Sequence, residues 1–140
     1  MRYNVTFSTT IEVDFDDHPP GKEVAHWLQA QLRSHGADFD AMDLHGDFAW
    51  SLDASGEAKA PWLLVGHVCD PHVQWLLQIK SNVGWIGRLL GRSDTSQRDE
   101  LVRTVHEALS SDSRFSDVLW HQGDFAEGDP TRDPTSWSQA

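Results

Sequence analysis

The stretch WLLVGHVCDPHVQWLLQIK, residues 62 to 80, decides the fold, because it reads as the two strands of a hairpin. Each half is rich in the β-branched and aromatic residues that favour extended chain, and Cys69, Asp70, Pro71 and His72 interrupt them. Asp70-Pro71 cannot form the usual two-residue hairpin turn, whose second position needs positive φ, whereas Asp followed by Pro suits the opening of a type I turn. The spacing therefore predicts a four-residue loop, Cys69 to His72. A loop of even length sets Val68 against Val73, Gly66 against Trp75, Leu64 against Leu77 and Trp62 against Ile79. One face then carries Trp62, Leu64 and Val68 with Val73, Trp75, Leu77 and Ile79, and Gly66 leaves room for the Trp75 ring. The other face carries His67, Cys69, Gln74, Gln78 and Lys80 beside Leu63, Val65 and Leu76.

Upstream of the hairpin, Phe48, Trp50 and Leu52 alternate in DFAWSLD (47–53) as a half-buried strand, and the acidic run ADFDAMDLHG (37–46) reads as a connection. Further back, Val24, Trp27, Leu28 and Leu32 recur at three- and four-residue spacing. They predict an amphipathic helix over 21–35, entered after Pro19 and Pro20 and ended by Gly36. Tyr3, Val5, Phe7, Ile11, Val13 and Phe15 fall at every second position apart from Thr9, which reads as one long strand over 3–15. Downstream, Ser96 with Asp99 resembles a capping box before Leu101, Val105, Ala108 and Leu109, a second helix closed by SSDS. FSDVLWH (115–121) is a last strand with Val118 and Trp120 on one face. From Gln122 the chain holds turn residues and charge without a period and reads as a flexible acidic tail, 122–140, after a single domain, 1–121. The order β-α-β-β-β-α-β implies an α+β fold, a mostly antiparallel sheet with both helices on one face.

Composition bounds function. The 22 Asp and Glu against 11 Lys and Arg give a formal net charge of -11, which argues against nucleic-acid binding, since phosphate contacts need clustered cations. The same charge draws a basic protein and raises its rate of association. No apolar run approaches the roughly 20 residues that span a bilayer, so no membrane partner is expected. A single cysteine, Cys69, suits a reducing compartment, and the expected localisation is cytoplasmic.

Two candidate sites follow. His67, Cys69 and His72 in GHVCDPH offer imidazole and thiolate, and a right-handed first crossover between parallel strands would bring His45 and Asp47 to the same end. Imidazole, thiolate and carboxylate suit zinc, but the spacing matches no established zinc module, and a solvated hairpin end is the better reading of the same five residues. The second candidate is the segment after Lys80. There Lys80, Arg88, Arg92, Arg98 and Arg103 outnumber Asp94, Asp99 and Glu100, and Trp85, Ile86 and Leu89 stand among them. Trp85, Ile86, Arg88, Leu89 and Arg92 are the residue types that anchor protein interfaces. Their alternative fate is to fold onto the sheet edge, with the arginines pairing with Asp14, Asp16 and Asp17. A ligand pocket lined by Trp27, Trp50 and Trp75 is a third reading, and core packing explains those rings more economically. The leading expectation is a soluble non-catalytic protein-interaction module of regulatory or toxin-neutralising type, with no cofactor, whose partner is another protein or a second copy of the chain. The alternative is a metal-binding protein or metal-dependent hydrolase using zinc at the His67, Cys69 and His72 cluster.

Overall fold

The computed structural model of the chain describes residues 1–39, 41–54, 60–70, 73–81, 95–123 and 129–135, with the main chain alone at 41, 69, 70, 73 and 95. In chain order its elements are β1 (Asn4–Thr9), α1 (Lys22–Ser34), β2 (Ala41–His45), β3 (Ala49–Asp53), β4 (Trp62–Asp70), β5 (Val73–Lys80), α2 (Thr95–Ser111) and β6 (Phe115–His121). Among the described residues the strands form one six-stranded sheet in the order β2-β3-β4-β5-β1-β6, every neighbouring pair antiparallel. Val24, Leu28 and Leu32 of α1 and Leu101, Val102, Val105 and Leu109 of α2 join one core cluster with Val5, Phe7, Leu77 and Ile79, so both helices cover the same face. This is the α+β class that the periodicity implies, with one strand more. Among the described residues no helix is long and apolar enough to cross a membrane.

The additional strand is β2. Its sequence AMDLH alternates Met42 and Leu44 with Asp43 and His45, and it pairs residue for residue with β3, from Ala41 against Asp53 to His45 against Ala49. Its acidic composition makes it read as a loop, because Asp is depleted from strands and enriched in turns. An outermost strand tolerates such residues, since one of its sides faces water.

The central hairpin differs in register from the expected one. His67 pairs with Trp75, Val65 with Leu77 and Leu63 with Ile79. Beyond His67 the ladder shifts: three steps along β4, from His67 to Asp70, stand against two along β5, from Trp75 to Val73. That extra β4 residue is a bulge, and it makes the count through the turn odd where a plain four-residue loop makes it even. A one-residue slip exchanges the faces of a strand. Leu63, Val65 and His67 therefore lie on the helix side with Trp75, Leu77 and Ile79, and Trp62, Leu64, Gly66 and Val68 lie on the other. The glycine that makes room for Trp75 is Gly21 rather than Gly66. A Cβ at Gly21 would stand 2.6 Å from Trp75 Cζ3, whereas one at Gly66 would meet the Phe48 carbonyl oxygen at 3.2 Å.

β1 ends at Thr9 rather than near Phe15. Thr9 pairs with Phe115, the first residue of β6, and the Thr10 N–H still donates to the Arg114 carbonyl before the chain leaves the sheet. The alternating residues beyond it still pack: Ile11 and Val13 are half-buried against the core.

Asp112 joins three elements. Its carboxylate accepts from the Trp27 indole of α1 at 3.0 Å and from the Arg114 guanidinium at 2.6 Å, while its carbonyl accepts from the Phe115 N–H that opens β6. Residues within the expected tail also bond to the domain. Trp120 and Thr131 exchange main-chain hydrogen bonds of 2.6 and 2.8 Å, Pro134 accepts from the Arg2 N–H, and the Arg2 guanidinium donates to the carbonyls of Trp120 and Asp129. Lack of hydrophobic periodicity hides such a segment, because the groups it offers to the domain are main-chain ones and carry no side-chain signature.

Two measurements check this packing. Gly21 has φ 118° against a buried Trp75 ring, so Gly21→Ala is expected to cost about 2–4 kcal/mol in urea unfolding through combined backbone strain and overpacking. The Arg114 hydrogen bonds hold the Asp112 carboxyl well below the usual carboxylate range. Its folded pKa is thus below the unfolded one, so its contribution is complete above the ordinary value of 3.8 and is lost as pH falls through the folded value. Asp112→Asn is expected to lower Tm by about 3–5 °C at neutral pH, and that difference should shrink as unfolding is followed downward from about pH 4.

Candidate functional site

With all neighbours antiparallel, β1, β4 and β2 run one way and β5, β3 and β6 the other. The connection after β1, the β2–β3 turn and the β4–β5 turn therefore gather at one end of the sheet. The ends of β3 and β5 and the start of α2 lie at the other. β3 is thus antiparallel to β1, not parallel as a right-handed first crossover would have it. GHVCDPH lies at the same end as Asp14, Asp16 and Asp17, and the arginines expected to pair with those carboxylates do not start from that end. The basic segment after Lys80 leaves from the far end, where Arg98 donates to the Ile79 carbonyl at 2.7 and 3.0 Å and stacks 3.6 Å from the Tyr3 ring centre. Asp99, beside it, accepts from the Tyr3 hydroxyl at 2.7 Å.

At the GHVCDPH end, aromatic rings flank the sheet on both faces. On the helix side the His67 ring packs edgewise between Phe15, 5.2 Å away, and Trp75, 5.0 Å away. On the other side His45 stands against Phe48 at 5.6 Å and Trp62 at 5.4 Å. Register explains the separation. His45 pairs with Ala49 and Ala49 with Gly66, so His45 shares the face of Gly66, and His67, the next residue, takes the opposite one.

The expected metal set is therefore not assembled from both hairpins. His45 and His67 are divided by the sheet, and Asp47 is exposed in the turn between β2 and β3. The Cys69 side chain and His72 lie outside the described residues, as do Trp85, Ile86, Arg88, Leu89 and Arg92. Among the described residues no three His, Cys, Asp or Glu side chains converge as a cation site. Nor do the three tryptophans share a pocket. Trp75 is buried under α1, Trp27 stacks 4.2 Å from Phe115, and Trp50 donates to the Pro19 carbonyl at 3.0 Å with Lys22 above its ring.

The feature that sequence reasoning missed is the hairpin β2–β3 and its surroundings. Among the described residues the large apolar side chains left exposed are Phe15 at 59%, Leu44 at 50% and Phe48 at 62%. Phe15 and Phe48 sit at the end where the turns gather, and Leu44 sits on the outermost strand. Phe48 also walls a groove of about 130 Å³ with Leu64, Val68 and Leu76. At the far end of the same hairpin a cleft of about 420 Å³ lies between the end of α1 and the start of α2, with Phe39 and Leu101 as apolar lining and Asp38 and Glu100 as charges. The usable signal for this region was the alternation of Met42 and Leu44 within AMDLH. No protein-family model matches the chain, and no curated protein or solved structure is detectably similar to it.

Because the sheet separates His45 from His67, zinc titration of His45→Ala is expected to return the stoichiometry and affinity of the unsubstituted chain, whatever His67, Cys69 and His72 hold. Loss of zinc binding in that variant would mean that the two hairpins meet by some other register.

Proposed function

We propose that the chain is a non-catalytic protein-interaction module, regulatory or toxin-neutralising in type, whose partner is a basic protein. One observation carries the reading: apolar exposure and acidity coincide. Residues 3–21 and 34–58 contain ten Asp and Glu and no Lys or Arg, and Phe15, Leu44 and Phe48 all belong to them. Exposed aromatic and aliphatic side chains supply apolar contacts for binding energy, and carboxylates near them in the chain select a cationic partner and speed its approach. Single exposed apolar residues are ordinary on a protein surface; what argues here is that all three fall within acid-only stretches of the chain. The reading takes no cofactor and places the chain in the cytoplasm, the reducing compartment that a lone cysteine suits.

The test is to isolate the tagged full-length chain from its own host, identify what co-purifies and titrate the complex against salt. A basic protein in fixed stoichiometry is expected. Its affinity should fall with ionic strength and drop about tenfold or more when Asp43→Lys and Asp47→Lys are combined. A partner without excess positive charge, or one indifferent to the double substitution, would overturn the reading.

A further inference from the structure

The two edges of the sheet are finished differently. At β6 the Trp120–Thr131 bridge sets one residue of the downstream segment against the strand. At β2, among the described residues, no strand pairs with the outer side. Ser51 Oγ donates to the Asp43 carbonyl at 3.3 Å, so that carbonyl is turned toward β3. Main-chain groups of successive strand residues point alternately to the two sides, so those of Met42 and Leu44 face away from the sheet. On that side the Leu44 N–H donates to the carboxylate of Asp43, its own neighbour, at 2.8 Å. The contact holds the donor without closing the edge. Side chains alternate as well: Asp43 and His45 stand on one face of the strand and Met42 and Leu44 on the other, with Asp43, Leu44 and His45 exposed.

We propose that this edge accepts an extended segment of the basic partner as a further strand, one that alternates Lys or Arg with apolar residues. The inference rests on the interaction-module reading and specifies the partner's binding element. Strand addition draws affinity from main-chain hydrogen bonds and specificity from alternate side chains. Directly opposed residues of adjacent strands share a face, so the cationic side chains meet Asp43 while the apolar ones cover Leu44. An incoming carbonyl replaces the Asp43 carboxylate on the Leu44 N–H and releases that carboxylate for the incoming cation. A second copy of the chain is the poorer occupant. Residues 37–54 carry Asp38, Asp40, Asp43, Asp47 and Asp53 without one Lys or Arg, and pairing that stretch with itself sets like charges together.

The test follows the amides of the isotopically labelled full chain by NMR while adding a short end-blocked peptide of alternating Lys and Val. The comparison is the same peptide N-methylated along one edge, its charge unchanged. The expected result is that the Met42 and Leu44 amides shift and gain protection from exchange, and that N-methylation weakens binding about tenfold, the equivalent of one or two lost hydrogen bonds. Leu44→Pro removes an outward donor that no ladder bond uses, so it should weaken the unmethylated peptide similarly at unchanged thermal stability. Equal binding of the two peptides would overturn strand addition and leave the preference for a basic partner standing. Absence of binding, or shifts confined to other residues, would overturn it too, with the interaction-module reading still decided by co-purification. Self-association of the chain that Leu44→Pro abolishes would assign the edge to a second copy and overturn the basic-strand occupant.

Discussion

His67 against Trp75 is the pairing that every other element of this molecule has to accommodate. It turns Leu63 and Val65 toward the helices with Leu77 and Ile79, and burying each such side chain contributes about 1.5–3 kcal/mol. β1 continues the same face, setting Phe7 beside Trp75 and Val5 beside Leu77. The Trp75 ring then reaches so far into the helix layer that the residue before α1 has to be Gly21. From there Val24, Leu28 and Leu32 follow along one side of α1, and α2 fills the remaining face with Val102, Val105 and Leu109. The bulge between His67 and Asp70 is thus a small local irregularity with consequences for the whole core: without it, Leu63 and Val65 would change places with Leu64 and Gly66.

Much of this fold is legible in the chain because burial enforces periodicity. The helix residues Val24, Leu28 and Leu32 and the strand residues Trp75, Leu77 and Ile79 occupy the faces that their spacing announces. What escapes is decided by main-chain geometry rather than by side-chain pattern. A bulge adds one residue without any compositional mark, and β4 is apolar on both faces, so Leu63 and Val65 compete with Leu64 and Val68 on equal terms for the interior. β2 escapes for the opposite reason: a strand with one side in water need not be apolar. Its omission reverses the inferred direction of β3 and carries the error to both ends of the sheet.

The candidate site was less legible than the fold. GHVCDPH attracts notice as a cluster of chemically versatile residues, yet in the structure His67 packs between Phe15 and Trp75 as part of an aromatic edge. Reactive residue types say little without convergence, and convergence depends on register, the least readable property of the chain. Leu44 and Phe48 carry no chemistry to attract notice. Their significance lies in exposure, which composition and spacing do not announce.

The segment 129–135 has a consequence for assembly. An open sheet has two templates on which further chains can grow, and a subunit that offers both can propagate into a fibre. Here Thr131 bridges to Trp120 and so takes up part of one of them. The main-chain groups of Trp120 that another chain would need are already spent on the molecule's own backbone. The two sides of the sheet are thereby unequal as templates, with the β6 side partly capped from within.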